Sequence, residues 1–154
     1  HIKKSDSSCA CLTHNREKQY ILPSNAPVDF LVALGVQDEN GRIFGTVNLN
    51  HIQPAEYGNI PWTMEGEGKE VLVVHTLCVR PDCRGKGYAK EFMAFAENLA
   101  KEKDCKVIRL DTWEGNEPAK KMYPALGYRL AGDTLFFFEQ VIWETLVCYE
   151  KQMK

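Results

Sequence analysis

The chain of 154 residues lacks the features that define membrane proteins and nucleic-acid-binding proteins. Its densest apolar run, residues 71–79, is interrupted by a histidine and is much shorter than the ~20 residues of a membrane-spanning helix. Positive charge is not in excess either, because 19 basic and 21 acidic residues give a net charge of −2. We therefore expect no membrane span and no binding to the phosphate backbone of nucleic acid.

The chain has six cysteines, but they do not show the spacing that is typical of metal-binding residues. They form no CxxC pair and no His-rich cluster, which argues against a structural zinc site. Cys78 and Cys148 lie in strand-like runs, where a free cysteine behaves as a small buried apolar residue, and Cys9 and Cys11 are assigned no role. Because no secretory signal is visible, we expect a cytoplasmic protein without a metal ion.

What the chain does contain is enough apolar surface for one core. Apolar residues make up 44% of the sequence and aromatic residues 10%, which favours a folded domain over a disordered tail. We expect a single domain spanning 1–154, in which residues 1–27 show no sustained period and are poorly defined apart from a short strand at 2–4. Strand-like runs at 29–37 and 43–51 flank an Asn-Gly pair, which predicts a hairpin.

The middle and second half of the chain predict a long loop and a crossover unit. Prolines and glycines in 53–69 indicate a connecting loop of a length that is often functional. The continuous aliphatic run 71–79 is typical of a strand covered on both faces. Helical periodicity over 88–100 and a further strand at 107–113 complete a right-handed crossover between parallel strands. A short helix with Asn116 as its cap and Gly127 at its end follows, and closing strands are expected at 128–130, 134–138 and 144–150.

A glycine-rich turn joins the end of the buried strand to the first helix. Its residues are Arg84, Gly85, Lys86, Gly87, Tyr88 and Ala89. Amide groups at a helix start lack intrahelical acceptors, glycines allow a ligand to approach closely, and the two basic side chains add positive charge. This combination predicts a site for a pyrophosphate group.

Two phosphate-binding motifs fit this turn poorly. A Walker A loop needs Ser or Thr after its Gly-Lys pair, but Gly87 follows Lys86. A dinucleotide fingerprint needs a third glycine near Lys90, although Asp111 ends the next strand about where a ribose-binding acid would lie. A nicotinamide-dependent oxidoreductase therefore remains only a weak alternative.

Two segments resemble the signatures of the Gcn5-related N-acetyltransferase (GNAT) family. Residues 77–89 are similar to its acetyl-CoA signature, and Arg84, Gly87 and Ala89 fill the three fixed positions. A second segment is similar to the family's N-x-x-A-x-x-x-Y-x-x-x-G-F/Y helix. Its matching residues are Asn116, Ala119, Tyr123, Gly127 and Tyr128. The motifs occur in the family's order, and the resemblance extends from about residue 29 to the C-terminus.

The resemblance implies both a fold and an activity. The fold is α/β, with a mixed, mostly antiparallel central sheet, helices on both faces and one parallel strand–helix–strand crossover. The activity is transfer of an acetyl group from acetyl-CoA to a primary amine, by direct attack in a ternary complex. At the N-terminus the family usually has a strand and two helices, but fewer than thirty residues precede the hairpin here. This region is therefore either shortened or incomplete in the sequence.

Roles for individual residues also follow from the resemblance. The main chain of Leu77 and Val79 would pair with the pantetheine arm of the cofactor, and the amides of residues 84–89 would hold its pyrophosphate. Tyr123 occupies the position from which the family commonly donates a proton to the CoA sulfur, with core packing as the alternative. Asn116 would contact the cofactor in addition to capping its helix.

His75 is the candidate general base. It shares strand parity with Leu77 and Val79, and histidine has an unperturbed pKa of about 6.5, near working pH. A structural histidine satisfied in the core is the more common reading of such a residue. Glu70 at the start of the strand and a chain of water molecules are the other candidates for the base.

Candidate acceptor-binding residues lie on the long loop or at the end of the strand 107–113 and just beyond it. They are Tyr57, Trp62, Trp113 and Glu114, because aromatic rings with one carboxylate suit an amine-bearing ligand, although packing explains each ring equally well. The acceptor can be a small-molecule amine or a protein or peptide amine, and the sequence is compatible with a homodimer. A non-catalytic acyl-CoA-binding sensor remains an alternative function.

Overall fold

The computed structural model describes residues 2–4, 9–15, 18–23, 30–37, 40–138 and 141–154. The described residues form nine strands. These are β1 (Ile2–Lys4), β2 (Cys9–Asn15), β3 (Lys18–Pro23), β4 (Phe30–Gln37), β5 (Ile43–Asn50), β6 (Val71–Val79), β7 (Val107–Trp113), β8 (Arg129–Phe138) and β9 (Ile142–Gln152). Two α-helices, α1 (Tyr88–Glu102) and α2 (Glu117–Ala125), and three short 3-10 turns, Ala55–Asn59, Gly68–Glu70 and Pro81–Cys83, complete the elements.

The chain packs as two compact units, and its organisation as a single domain stays a prediction. One unit contains residues 1–50 and 75–95, and the other contains residues 51–74 and 96–154. The predicted fold class is confirmed, because the described residues form a mixed α/β structure with mostly antiparallel strand pairs and one parallel pair.

In the first unit, β1 to β5 follow one another in chain order, and each strand is antiparallel to the next. The predicted short strand at 2–4 and the predicted hairpin of β4 and β5 are confirmed. The hairpin register runs from Phe30 opposite Asn50 to Gln37 opposite Ile43, and Gly41 adopts the left-handed conformation in the turn. Residues 38 and 39 of that turn lie outside the described residues.

In the second unit, the strand order is β6, β7, β9, β8. The parallel pairing joins Val71–Val74 to residues 107–110, as the predicted crossover requires, and the other two pairings are antiparallel. The separate strand segments predicted at 128–130 and 134–138 form one strand in the structure. A register shift between Leu130 and Gly132 absorbs the break, because both segments pair with the same long strand β9.

Helical segments cover both faces of this unit's sheet. Adjacent residues on β9 point to opposite faces. On one face Tyr149 packs against Tyr123 of α2, with 5.5 Å between ring centroids. On the other face Cys148 belongs to an apolar cluster that includes Tyr57 of the 3-10 turn. The buried members of this cluster are Tyr57, Ile60, Val71, Val73, Val107, Ala131, Phe136, Leu146 and Cys148.

Glu150 on β9 is fully buried and binds the long loop through hydrogen bonds. Its carboxylate accepts hydrogen bonds from the Thr63 amide at 3.0 Å, the Thr63 hydroxyl at 2.9 Å and the Met64 amide at 3.2 Å. Arg129 adds an ion pair at 2.7 Å. Burial acts to raise the pKa of Glu150, but the hydrogen bonds from Thr63, Arg129 and Met64 outweigh it and lower the pKa.

We expect Glu150→Gln to destabilise the fold by about 2–3 kcal/mol at pH 7, because several donors then face a neutral amide. The lowered pKa means that the carboxylate stabilises the native state above its unfolded-state pKa, and this stabilisation is lost as the pH falls through the folded-state value. Urea unfolding at pH 7 and at acidic pH checks both points, with Glu144→Gln on the same strand as control. Equal stability of Glu150→Gln and wild type at pH 7 would contradict this account.

Candidate functional site

The turn before α1 has the backbone of an anion-binding loop. Gly85 and Gly87 adopt left-handed conformations, with φ of +78° and +84°, that residues with a side chain rarely adopt. A Cβ atom placed at either glycine would meet no atom within 4 Å, so the space in front of both is open. Left-handed glycines in such a turn point successive amides toward one side, which makes a concave nest for an anion.

The amides of this turn are available to a ligand. Within the described part of the chain, the N–H groups of Gly85, Lys86 and Gly87 donate to no protein acceptor, and that of Arg84 reaches only the Pro81 carbonyl at 3.4 Å. Arg84 and Lys86 are also exposed and add two positive charges. The turn can therefore accommodate a pyrophosphate group, although the assignment of this group stays a prediction.

Contacts on both sides hold the turn in place. Tyr88, the first residue of α1, is half-buried and packs its ring on Phe44 with 4.3 Å between centroids. Before the turn, the Arg80 amide donates to the Phe44 carbonyl at 2.8 Å, and the Arg80 guanidinium donates to Asp82 Oδ2 at 2.9 Å. Ala89 is half-buried in the first turn of the helix. Side chains that flank the glycines thus restrict their position.

The second half of β6 is not buried, and the prediction of a strand covered on both faces is wrong there. Val71–Val74 are buried, but Thr76 and Cys78 are exposed, and the other residues of this half, including Leu77 and Val79, are half-buried. The described parallel register with β7 ends at Val74, so burial ends where that pairing ends. An apolar run cannot reveal this change, because it depends on the neighbouring strand.

His75 is the first residue of this half-buried segment, and its partner is Asn50 at the end of β5. The ring Nε2 lies 2.6 Å from Oδ1 of Asn50, whose side chain is buried. An amide oxygen only accepts, so Nε2 carries the proton and Nδ1 is the basic nitrogen of the neutral ring. Asn50 therefore selects the tautomer of the predicted base.

Glu70, an alternative base in the sequence, has a different environment. It ends the 3-10 turn before β6 and forms an ion pair with Lys106. The hydrogen bond from Lys106, followed by that from the Glu67 amide, lowers the pKa of Glu70. A lowered pKa makes this carboxylate a weaker base, which favours His75 among the residues that the sequence offered.

Tyr123 is buried on α2 among other aromatic rings. Its ring centroid lies 5.9 Å from that of Tyr128 and 5.5 Å from that of Tyr149. Burial is the main cause that raises the pKa of Tyr123 to about 12, and the charge of Asp111 adds to it. The phenol is therefore protonated at neutral pH, which is the state that a proton donor needs. The packing role and the acid role are both compatible with this position.

Asn116 caps α2, as the sequence predicted. Its Oδ1 accepts a hydrogen bond from the Ala119 amide at 3.3 Å, and its Nδ2 donates to Thr112 Oγ1 at 3.0 Å. Both ends of the side chain are thus occupied within the protein. Its contact with a cofactor stays a prediction.

Two of the predicted acceptor-binding residues, Tyr57 and Trp62, come together in the structure. Their ring centroids are 5.1 Å apart, and Trp62 Nε1 donates to the Tyr57 carbonyl at 2.9 Å. The guanidinium of Arg109 lies 4.5 Å from the centre of the Trp62 ring. The Tyr57 hydroxyl donates to Asp111 Oδ2 at 2.7 Å, a contact that the sequence did not indicate.

Trp113 and Glu114 are exposed, and no described contact joins them to Tyr57 or Trp62. The Trp113 ring lies over Gly115, where a Cβ atom would come within 2.3 Å of it. The Glu114 amide donates to the Thr145 carbonyl at 3.1 Å, so this residue also has a local structural role.

The profile of the Acetyltransferase (GNAT) family matches residues 5–128. The chain belongs to the GNAT family. The match begins nearer the N-terminus than the resemblance from residue 29, and it ends before β8. Family members use acetyl-CoA, and the open turn with its unpaired amides suits the pyrophosphate of that cofactor.

Proteins that are similar to this chain include acetyltransferases. Streptothricin acetyltransferase from Escherichia coli is 32% identical over 102 residues, which is 66% of this chain and 55% of that protein. The chain thus spans little more than half the length of this curated relative. An acetyltransferase from Bacillus cereus is 26% identical, with a TM-score of 0.57 over 79% of this chain and 71% of that chain. A Salmonella typhimurium protein described as an acetyltransferase was solved with its cofactor acetyl-CoA; it is 14% identical, with a TM-score of 0.61 over 81% of this chain and 65% of that chain.

The described residues contain neither a candidate membrane-spanning helix nor a candidate metal-binding cluster. No helix in the described ranges is long and apolar enough to cross a membrane. Among the same residues, no group of three or more His, Cys, Asp or Glu side chains is placed to bind a metal ion.

Proposed function

We propose that this GNAT protein is an N-acetyltransferase that transfers the acetyl group of acetyl-CoA to a primary amine by direct attack in a ternary complex. The observation that carries the proposal is the turn at 84–89, with its open left-handed glycines and unpaired amides. Bound acetyl-CoA would supply an acyl group activated as a thioester. The protein would bind the cofactor, accept the ammonium proton and protonate the sulfur that leaves.

Cofactor binding would use the main chain more than side chains. The amides of Gly85, Lys86 and Gly87 would bind the pyrophosphate, and the charge of Arg84 would add to the attraction. The half-buried segment of β6 would pair through Leu77 and Val79 with the amide groups of the pantetheine arm, as an added strand does. Exposure of this half of the strand supports that role.

Two side chains would move protons. Tyr123 is protonated at neutral pH and would donate to the sulfur. His75 would accept the ammonium proton at Nδ1, directly or through water, because Asn50 occupies Nε2. Asn50 would then be a positioning residue, since it selects the basic nitrogen of His75.

The acceptor class follows from the named relative only as a hypothesis. Similarity to a streptothricin acetyltransferase makes a small-molecule amine, and streptothricin in particular, the first acceptor to test. A thiol-release assay with acetyl-CoA over streptothricin, polyamines, other amine antibiotics and N-terminal peptides measures the activity. Binding of acetyl-CoA without turnover on any amine would instead support a sensor. Preference for NADH over acetyl-CoA in a titration would support an oxidoreductase.

The role of His75 leads to a testable prediction. His75→Gln keeps much of the volume but cannot accept a proton near pH 7, so we expect kcat to fall at least about tenfold. The acidic limb of the kcat/KM profile should disappear with it. His51→Gln is the matched control, because His51 bonds the Val71 carbonyl through Nδ1 at 2.7 Å and is assigned no catalytic role. An unchanged acidic limb in His75→Gln would place the base elsewhere.

A further inference from the structure

Asp111 is a carboxylate in the interior of β7, where acidic residues are uncommon. It is half-buried and, among the described residues, accepts a hydrogen bond from the Tyr57 hydroxyl at 2.7 Å. In the described ranges, no lysine, arginine or histidine forms an ion pair with it. A carboxylate can accept about four hydrogen bonds, so Tyr57 leaves most of this capacity unused.

The environment of Asp111 destabilises the ionised carboxylate unless a cation lies beside it. Burial raises the pKa of Asp111, and the hydrogen bond from Tyr57 partly opposes this effect. A partly desolvated carboxylate with one neutral donor is stabilised strongly by a cation. A ligand that carries an ammonium group would supply both the missing charge and further hydrogen-bond donors.

The donor to Asp111 is held firmly in place. Tyr57 is 3% exposed, and its ring contacts those of Trp62 and Phe136 at centroid distances of 5.1 and 6.2 Å. Trp62 also bonds the Tyr57 carbonyl. These contacts fix the direction of the hydroxyl and therefore the orientation of the carboxylate.

We propose that Asp111 binds the ammonium group of the acceptor and that Tyr57 is the positioning residue that orients it. The proposal deepens the proposed function and rests on it, since it names the group that recognises the amine. It makes acceptors that are cationic near neutral pH the substrate class of the site. It assigns the aromatic residues of the loop a role in orienting the carboxylate.

The first test measures binding without catalysis. Ethanolamine, n-butylamine and spermidine are titrated calorimetrically into wild type, Asp111→Asn and the control Asp133→Asn, each saturated with CoA. Asp133 is an exposed carboxylate in the same unit with no described hydrogen bond to Tyr57, so its variant makes the same chemical change without removing that contact. For one or more of the probes, we expect the affinity of Asp111→Asn to be about tenfold or more below that of wild type. The affinity of Asp133→Asn for the same probe should equal that of wild type. Equal affinities, or no binding of any probe to wild type, would overturn the proposal.

The second test uses kinetics with an amine that the wild type acetylates. Asp111→Asn and Tyr57→Phe should raise KM for the amine, by at least about tenfold for Asp111→Asn, and leave KM for acetyl-CoA unchanged. A purely structural role would lower thermal stability and affect both substrates. Amine turnover with an unchanged amine KM in Asp111→Asn refutes the role of Asp111 and leaves the proposed function intact. Failure of all amines to react refutes the proposed function, and the binding test still decides the role of Asp111.

Discussion

Tyr123→Phe is expected to lower kcat by about 10²- to 10⁴-fold while the affinity for acetyl-CoA stays nearly unchanged. The variant removes one hydroxyl and keeps the ring that packs against Tyr128 and Tyr149. A packing role alone would therefore leave both the fold and the rate almost intact. The loss of rate would come from the absence of a proton donor for the leaving sulfur, since the pKa of Tyr123 is about 12 and its phenol is protonated at neutral pH.

The control for this prediction is a neighbouring tyrosine. Tyr128→Phe makes the same change in a ring that contacts Tyr123, and the lost hydroxyl donates to Glu97 at 3.2 Å. We expect its kcat to remain within about threefold of wild type, because that hydroxyl has a structural partner. Steady-state kinetics with a reactive amine compare the two variants. A kcat of Tyr123→Phe within about threefold of wild type would remove the acid role, which requires at least a 10²-fold loss.

Gly87→Val is expected to weaken acetyl-CoA binding about 100-fold or more, a change of about 2.7 kcal/mol. Valine at φ +84° is strained, and its branched side chain would occupy the open space that a phosphate needs. The folded protein should still form, because a Cβ atom at this position meets no atom within 4 Å. Calorimetric titration of acetyl-CoA into the variant measures the loss.

Backbone strain needs its own control at another glycine. Gly68 in the 3-10 turn before β6 has φ of +51° and equally open surroundings, so Gly68→Val introduces a similar strain outside residues 84–89. We expect this variant to lose stability and to keep its affinity for acetyl-CoA. If a folded Gly87→Val binds acetyl-CoA as wild type does, the pyrophosphate site does not lie at this turn.

Local sequence signals predicted the elements that frame the site. The predicted strand 107–113 coincides with β7, and the helical periodicity from residue 88 matches the start of α1. The cap at Asn116 and the left-handed Gly127 after α2 were also predictable, because capping and chain reversal depend on residues only a few positions apart. The GNAT family was visible for the same reason, since both motifs are short and continuous.

Contacts between distant segments could not be predicted in this way. Asn50 lies 25 residues from His75, and Tyr57 lies 54 residues from Asp111. From its position after the glycine turn, Asp111 was predicted only as a weak candidate for a ribose ligand, although an acidic residue inside a strand signals a special partner. The side chain that contacts Asp111 is determined by the path of the long loop. The sequence of this loop has no periodicity from which its path could be predicted.

The sequence by itself determined the strand–turn–helix unit, the glycines that need a left-handed backbone and the family. These follow from steric limits and hydrogen-bonding needs within a few residues. Only the tertiary structure decided where β6 ceases to be buried, which nitrogen of His75 is basic, and that Tyr57 directs its hydroxyl to Asp111. Burial and hydrogen-bond partners depend on which segments become neighbours, and that is a property of the packed chain as a whole.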